Sequence, residues 1–133
     1  MSLDDVMGQF IVDKDIIKEH LERIVQKALL HCRIDKTGQV LIKNAHLTGK
    51  DQVKLTLAAR ALASQYDSTI DPGVTVAEIS KYTGLPADQV RARARDAVAE
   101  RYAESPAAGV YKAVAVKVEA FLDGLSNAKD PKG

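Results

Sequence analysis

Apolar residues recur at steps of three and four along several segments of this chain, and this spacing gives a helix one buried face. The first such segment extends from Asp15 to His31 and predicts an amphipathic helix. Its apolar positions are Ile17, Leu21, Ile24, Val25, Ala28 and Leu29. A second helix is predicted from just after Thr48 to about Tyr66, because Thr48 and Asp51 form a weak variant of the capping box. Its apolar stripe is Val53, Leu57, Ala58, Ala61 and Leu62.

Between these two helices, the hydrophobic pattern changes to two short β-prone runs. They flank the sequence Asp35-Lys-Thr-Gly38, in which Gly38 is placed to adopt a left-handed backbone conformation. We therefore expect a small β-hairpin over Cys32 to Lys43.

A third, short helix has a stronger start signal. Thr75 can cap its amino end while Glu78 returns the hydrogen bond, which is the full capping box. Gly84 suits the residue just past a helix end, so this helix should stop near Thr83. A loop over Asp67 to Gly73 separates it from the helix before.

A fourth helix is predicted from Pro86, as its first helical residue, to about Arg101. Its inward positions would be Val90, Ala94, Ala97 and Val98. After it, Tyr102–Ser105 and Val110–Val114 read as two short strands joined by the turn Pro106–Gly109. A last helix should cover Val116 to Leu125, and residues 127–133 should form a flexible tail. The predicted fold class is α+β, mainly α with small β-hairpins.

The order of these elements resembles the winged helix-turn-helix family over about residues 50–125. Helix-turn-helix proteins tend to place a small residue in the first helix of the motif, a glycine four residues later and a β-branched residue six further on. Ser80, Gly84 and Val90 match that spacing. The resemblance implies a winged helix domain over 50–126. Residues 1–49 lie outside it and would form a helix and hairpin extension.

The resemblance also implies that the fourth helix enters the major groove of duplex DNA. The base-contact candidates are Gln89, Arg91, Ala92 and Arg95, and the backbone-contact candidates are Lys81, Tyr82, Thr83, Arg93 and Lys112. The turn Pro106–Gly109 carries no arginine or lysine, in contrast to the wing tip of many DNA-binding members. In the alternative interpretation, the arginines are solvated residues of an Ala- and Arg-rich helix, and Arg93 pairs with nearby acids.

Net charge changes this picture, because a nucleic-acid-binding chain usually has an excess of bases. Here the formal net charge is only +1, although 28% of the residues are charged. Any basic surface must therefore be local. The first hypothesis is a small DNA-binding transcriptional regulator. The second is a winged helix that docks proteins in a larger complex, with the helix 15–31 and the hairpin as docking surfaces. The same helix 15–31 could form a homodimer or pack on its own domain.

Other chemistry has weak support in the sequence. Cys32 is the only cysteine, and with His20, His31 and His46 it lacks the paired spacing of a zinc site. We expect a structural thiol, surface imidazoles, no metal, no cofactor and no catalysis. The apolar runs are too short to span a bilayer, and Met1–Gln9 carries acids rather than the bases of a signal peptide. These features favour a cytoplasmic protein with no membrane partner.

Overall fold

The computed structural model describes residues 2–10, 20–44 and 46–128. The helices in this part of the chain are α1 (Leu3–Phe10), α2 (Leu21–Ala28), α3 (Gly49–Tyr66), α4 (Val76–Thr83), α5 (Ala87–Ala99) and α6 (Val118–Ala128). The strands are β1 (Cys32–Ile34), β2 (Val40–Ile42), β3 (Val74–Thr75), β4 (Ala103–Ala107) and β5 (Val110–Ala113), and a 3₁₀ turn over Ala115–Lys117 precedes α6. The α+β class predicted from the sequence is confirmed.

Local sequence signals account for most element ends. The Thr48 hydroxyl accepts a hydrogen bond from the Asp51 amide and begins α3. Thr75 and Glu78 form the complete capping box of α4. Gly38 has φ +96° in the hairpin of β1 and β2, as its position predicted. Each of these devices acts within a few residues, so the sequence contains all that is needed to recognise it.

The helix α3 is the centre of the molecule. Its sequence predicted one buried stripe, but eight consecutive residues from Leu55 to Leu62 are buried, including Thr56 and Arg60. All five residues of the predicted stripe are buried, but burial extends beyond them to Leu55, Thr56 and Arg60. The physical reason is that α3 is surrounded, since it packs against α2, α4, α5, the β1–β2 hairpin and β5.

A three-stranded antiparallel sheet with the order β3-β5-β4 lies beside α3. The sequence predicted only a two-stranded ribbon, and the additional strand is the residue pair Val74–Thr75, which bonds to β5. The predicted turn is also shorter than expected. Pro106 lies inside β4, an edge strand, and Ala108 and Gly109 connect it to β5. The strand β3 depends on a partner that is distant in the sequence, which explains why it was missed.

The bounds of α5 and α6 differ from the sequence prediction, and α6 begins at Val118 rather than Val116. Pro86 is the residue before α5 rather than its first helical residue, and α5 ends at Ala99. Arg101, expected to close that helix, instead has φ +65°. Val98, expected to face inward, is 36% exposed because Val90, Ala94 and Ala97 already define the buried face. The last helix continues to Ala128, so residues 127 and 128 are helical, and the rest of the predicted tail lies outside the described residues.

The amino-terminal extension shares one hydrophobic core with the rest of the chain. The predicted helix 15–31 is described from Leu21, where α2 begins, and α2 ends at Ala28 rather than His31. Ile24 and Ala28 are buried in the same cluster as Val53 and Leu122. The inward face of α2 is thus occupied by this chain's own core. Any homodimer through residues 15–31 would have to use other side chains.

Candidate nucleic-acid interface

The connection between α4 and α5 sets the direction in which α5 leaves the domain. Gly84 has φ +78°, a left-handed conformation that non-glycine residues adopt at a cost of roughly 1–2 kcal/mol. The Ser80 hydroxyl donates a hydrogen bond across the turn to the Leu85 carbonyl at 2.6 Å. Val90 is fully buried and holds α5 to the core. Ser80 and Gly84 therefore shape the turn, Val90 holds the helix that follows it, and Ser80 contributes a hydrogen bond in addition to its small size.

Arg60, a buried arginine of α3 that the sequence analysis missed, makes hydrogen bonds to α4. The Arg60 side chain is only 5% exposed. It donates to the Gly38 carbonyl at 2.6 Å, the Asp71 carbonyl at 2.7 Å, the Gly73 carbonyl at 3.0 Å, the Glu78 carboxylate at 2.6 Å and the Tyr82 hydroxyl at 3.3 Å. One guanidinium thus joins α3, the hairpin, the loop before β3 and the capping box of α4. An arginine inside an otherwise apolar stretch was the available sequence signal.

Arg60 and Glu78 each stabilise the charged form of the other. Burial alone would lower the pKa of Arg60, but the hydrogen bond with Tyr82 and the charge of Glu78 outweigh it and raise that pKa. Burial would likewise raise the pKa of Glu78, yet the Thr75 amide and the Arg60 charge keep it below its usual value. The ion pair is therefore present at neutral pH and holds α4 where α5 can rest on it.

The solvent-exposed face of α5 carries two of the candidate DNA-contact arginines. Arg91 and Arg95 are four residues apart and both exposed, so they project from one side of the helix. Among residues 2–10, 20–44 and 46–128, neither has an acidic oxygen within ion-pair distance. Ala92 lies half-buried between them. Two unpaired guanidinium groups on a rigid helix form a local positive surface.

Gln89, the remaining base-contact candidate, is exposed but leans toward α3. Its amide nitrogen lies only 2.9 Å from the position that a Cβ atom on Gly49 would occupy. Gly49 is therefore the residue that leaves space for Gln89 over the first turn of α3. From this position Gln89 lies at the rim of the arginine surface rather than at its centre.

The backbone-contact candidates do not form one group. Lys81 is exposed on the last turn of α4. Tyr82 belongs to the Arg60 network, and the Thr83 hydroxyl donates to the Ile79 carbonyl and accepts from the Leu85 amide. Arg93 is half-buried and pairs with Asp96 at 3.2 Å. Of these four residues, Lys81 alone is exposed and makes no side-chain hydrogen bond or ion pair within the described part of the chain.

The ribbon contributes little positive charge. Lys112 on β5 lies directly opposite Glu104 on β4, where opposite charges attract across the strands. The Ser105 hydroxyl donates to the carbonyls of Ala107 and Val110, so polar groups near the turn are used internally. Lys112, the candidate contact on this ribbon, therefore has an acid as its cross-strand neighbour.

Comparison with models of known protein families, with curated proteins and with solved structures finds no match. The interface must therefore be judged on its own geometry.

Two lysines near α5 form ion pairs with the residue that follows this helix. Lys50 and Lys54 both pair with Glu100, Lys54 at 2.7 Å, and Lys54 also lies 5.0 Å from the centre of the Tyr102 ring. The two lysine side chains lower the pKa of Glu100 through their hydrogen bonds. This cluster joins the start of α3 to the end of α5. Glu100 compensates one of the two lysine charges, whereas Arg91 and Arg95 have no such partner among the described residues.

The histidines and the cysteine do not assemble a second site. His31 was expected at the surface, but it is 2% exposed, since the turn after α2 carries it into the core; His20 and His46 are exposed. Burial raises the pKa of Cys32 to about 11, so its thiol is protonated at neutral pH. Within the described ranges, no three His, Cys, Asp or Glu residues are grouped as metal ligands. No helix in those ranges has the length and apolar character needed to cross a membrane.

Proposed function

We propose that this protein binds duplex DNA through α5, as a small winged helix regulator. The observation that carries the proposal is the exposed pair Arg91 and Arg95, unpaired on a helix that follows a glycine turn. The element order also supports it: α3, α4, α5, the two strands β4 and β5, and α6 follow one another in the order on which the resemblance rests. Near-neutral net charge is compatible with this function when the cations are concentrated at one surface.

In this proposal, α5 lies in the major groove with Arg91 and Arg95 toward the base edges. An arginine can donate two parallel hydrogen bonds to guanine, which discriminates against a wrong base by about 1–3 kcal/mol. Gln89 would contact the adjacent base only after moving away from Gly49. Lys81 would contact a phosphate beside the helix.

The remaining candidates take supporting roles in the proposal. Tyr82 and Thr83 hold the end of α4 through their internal hydrogen bonds, so they position α5 rather than contact phosphate. Arg93 would have to leave Asp96 to reach DNA. We therefore expect the contact set to be smaller than the resemblance implied, and the affinity for random DNA to be modest. A non-specific dissociation constant of about 10⁻⁴ to 10⁻⁶ M is typical at physiological salt.

The test is fluorescence anisotropy of a labelled random duplex over a salt series. The Arg91→Ala/Arg95→Ala variant should bind more weakly, and its salt dependence should have a slope smaller by about one for each lost phosphate contact. The matched control is Lys36→Ala/Lys43→Ala, which removes the same charge from two exposed residues on or beside the hairpin. The control should retain the slope of the unchanged protein. Absence of binding at about 50 mM salt, where non-specific affinity is strongest, would reject DNA binding to generic duplex.

A docking module in a larger complex is the second candidate. It is favoured by Leu30 and Leu41, which are 63% and 50% exposed on the turn after α2 and on β2. Exposed leucines beside a short hairpin are a surface that a protein partner can cover. If the protein binds no DNA and Leu41→Asp abolishes the binding of a protein partner, the result would support this function instead.

A further inference from the structure

An apolar groove runs between α2, the β1–β2 hairpin and the carboxyl-terminal half of α3. Its volume is about 600 Å³, and its walls include Leu21, Val25, Cys32, Ile34, Leu62 and Ile70. That size falls within the range of about 300–1,000 Å³ in which proteins bind drug-sized ligands. The groove lies at the opposite end of α3 from Gly49, where Gln89 of α5 rests. It is therefore separate from the proposed DNA surface.

The helix α1 has an apolar face with no partner in the described structure. Leu3, Val6, Met7 and Phe10 follow the spacing i, i+3, i+4, i+7, which places them on one side. Leu3 and Phe10 are 74% and 78% exposed. Such a row of anchors is the pattern by which amphipathic helices bind in hydrophobic grooves.

The length of α1 gives a second reason to expect a partner. An isolated helix shorter than about 12–15 residues is marginally stable in water, and α1 has eight. Its amino end is capped, since Ser2 Oγ accepts from the Asp5 amide at 3.2 Å. A cap contributes only about 1 kcal/mol, which does not offset the cost of forming so short a helix. Docking of the apolar face would supply the missing stabilisation.

The chain itself connects this helix to the groove. Ten residues, 11–20, separate Phe10 from Leu21, and the Leu21 side chain lines the groove. Ten residues span at most about 36 Å, and eight helical residues span about 12 Å, so α1 can reach the whole groove. A tether of this length gives an effective concentration of order millimolar, well above the micromolar concentration of a second copy.

Charge does not select the occupant of this groove. The rim carries the bases Arg33 and Lys36 together with the acids Glu22, Asp35 and Asp67. The helix α1 carries Asp4 and Asp5 and no base. The choice of α1 as occupant therefore rests on its apolar face, its length and the segment that connects it to α2.

We propose that α1 docks its Leu3, Val6, Met7 and Phe10 face into the groove of its own chain. The amino-terminal helix then covers the apolar surface between α2, the hairpin and α3. This contact would close the core on the side away from α5.

Paramagnetic relaxation measured by NMR on the full chain tests the proposal. A nitroxide is attached to Asp4→Cys, on the polar side of α1, in a Cys32→Ala background so that the label has one site. The amide signals of Leu29, Ile34 and Tyr66 should lose most of their intensity, whereas Gly109 at the ribbon turn should keep its signal. Adding Phe10→Asp should restore the groove signals. Gln9→Asp, which introduces the same charge at the neighbouring position outside the apolar set, should not.

A mixed sample identifies whose helix is bound. Spin-labelled chains without ¹⁵N are added to ¹⁵N chains without a label. Intensity loss in the single-species sample but not in the mixture is the expected result. Loss in the mixture would show that a second copy supplies the helix, and absence of loss in both samples would show that the groove does not bind α1. Either outcome overturns the proposal.

Discussion

Arg60 is a charged side chain in the most buried stretch of α3. Its neighbours Ala59 and Ala61 are nearly as buried, and five oxygen acceptors surround its guanidinium. Sequence analysis recognises such a residue only as an interruption of an apolar stripe. Its acceptors come from residues 38, 71, 73, 78 and 82, and no local pattern predicts that these meet. The caps at Thr48 and Thr75 were predictable because each is complete within four residues.

We predict that Arg60→Met lowers the free energy of unfolding by about 3 kcal/mol. Breaking a buried ion pair costs about 3–5 kcal/mol, and the Glu78 side chain, 37% exposed, recovers some hydration. Urea denaturation followed by circular dichroism measures the change. Arg60→Lys keeps the charge but loses the planar set of donors, so its free energy of unfolding should lie between those of the unchanged protein and Arg60→Met.

Arg93→Met is the matched control for this prediction. Arg93 makes an ion pair with Asp96 on its own helix and is 40% exposed, so its loss should cost less than about 1 kcal/mol. Equal unfolding midpoints for Arg60→Met and Arg93→Met would contradict the assigned role of Arg60.

At the scale of elements, α2 and α6 are joined by a cluster of charges. Glu119 on α6 accepts hydrogen bonds from Arg23 Nε and Nη2 at 2.7 Å and from Lys27 Nζ at 2.6 Å. Lys27 also pairs with Asp123 at 2.9 Å. The hydrogen bonds from Arg23 and Lys27 lower the pKa of Glu119 from 4.5 to about 2. The connection between these two helices therefore depends on an ionised carboxylate.

We predict that Glu119→Gln removes a stabilisation that depends on pH. Because the pKa of Glu119 is lower in the folded state, its contribution is complete above pH 4.5 and is lost as the pH falls towards about 2. The urea midpoints of the two proteins should differ at neutral pH and converge in acid. Glu22→Gln, an exposed residue of α2 outside this cluster, is the control. A constant difference across the whole pH range would contradict the prediction.

The elements that sequence analysis missed are those that need a distant partner. Helix positions and the hairpin of β1 and β2 followed from periodicity and turn residues. The strand β3 has two residues and exists because Val74 and Thr75 pair with Tyr111 and Val110. In the candidate site, the exposure of Arg91 and Arg95 was predictable from helical periodicity. The engagement of Tyr82 and Thr83 was not, since it depends on the Arg60 network and on the turn after α4.

At the scale of the whole molecule, residues 20–44 pack into the same hydrophobic core as the chain that follows them. They supply Ile24, Ala28, Cys32 and Val40 to the common core, and Gly38 to the Arg60 network. Sequence analysis separated them because the winged helix resemblance begins near residue 50. Shared burial follows only from three-dimensional packing.

We predict that a fragment beginning at Leu47, which keeps the Thr48 cap, does not fold cooperatively. Burial of Ile24 and Val40 alone is worth about 1.5–3 kcal/mol each, and the fragment would also expose the face of α3 beneath them. The whole free energy of unfolding of a small domain is only about 5–15 kcal/mol. The near-ultraviolet circular dichroism signal and the chemical-shift dispersion of the amide protons should both decrease sharply. A fragment with a sharp thermal transition would show instead that residues 47–133 are autonomous.

The position of Pro106 has a consequence for how molecules of this protein meet each other. An edge strand offers unpaired amides and carbonyls onto which another chain can add, and this is a route to aggregation. At one edge of the sheet, β3 offers only two residues. At the other edge, β4 has an irregular register between Glu104 and Ala107, with a proline that lacks an amide hydrogen. Both edges of this sheet are therefore poor templates for strand addition by another molecule. This protection does not require charged residues at the turn between β4 and β5.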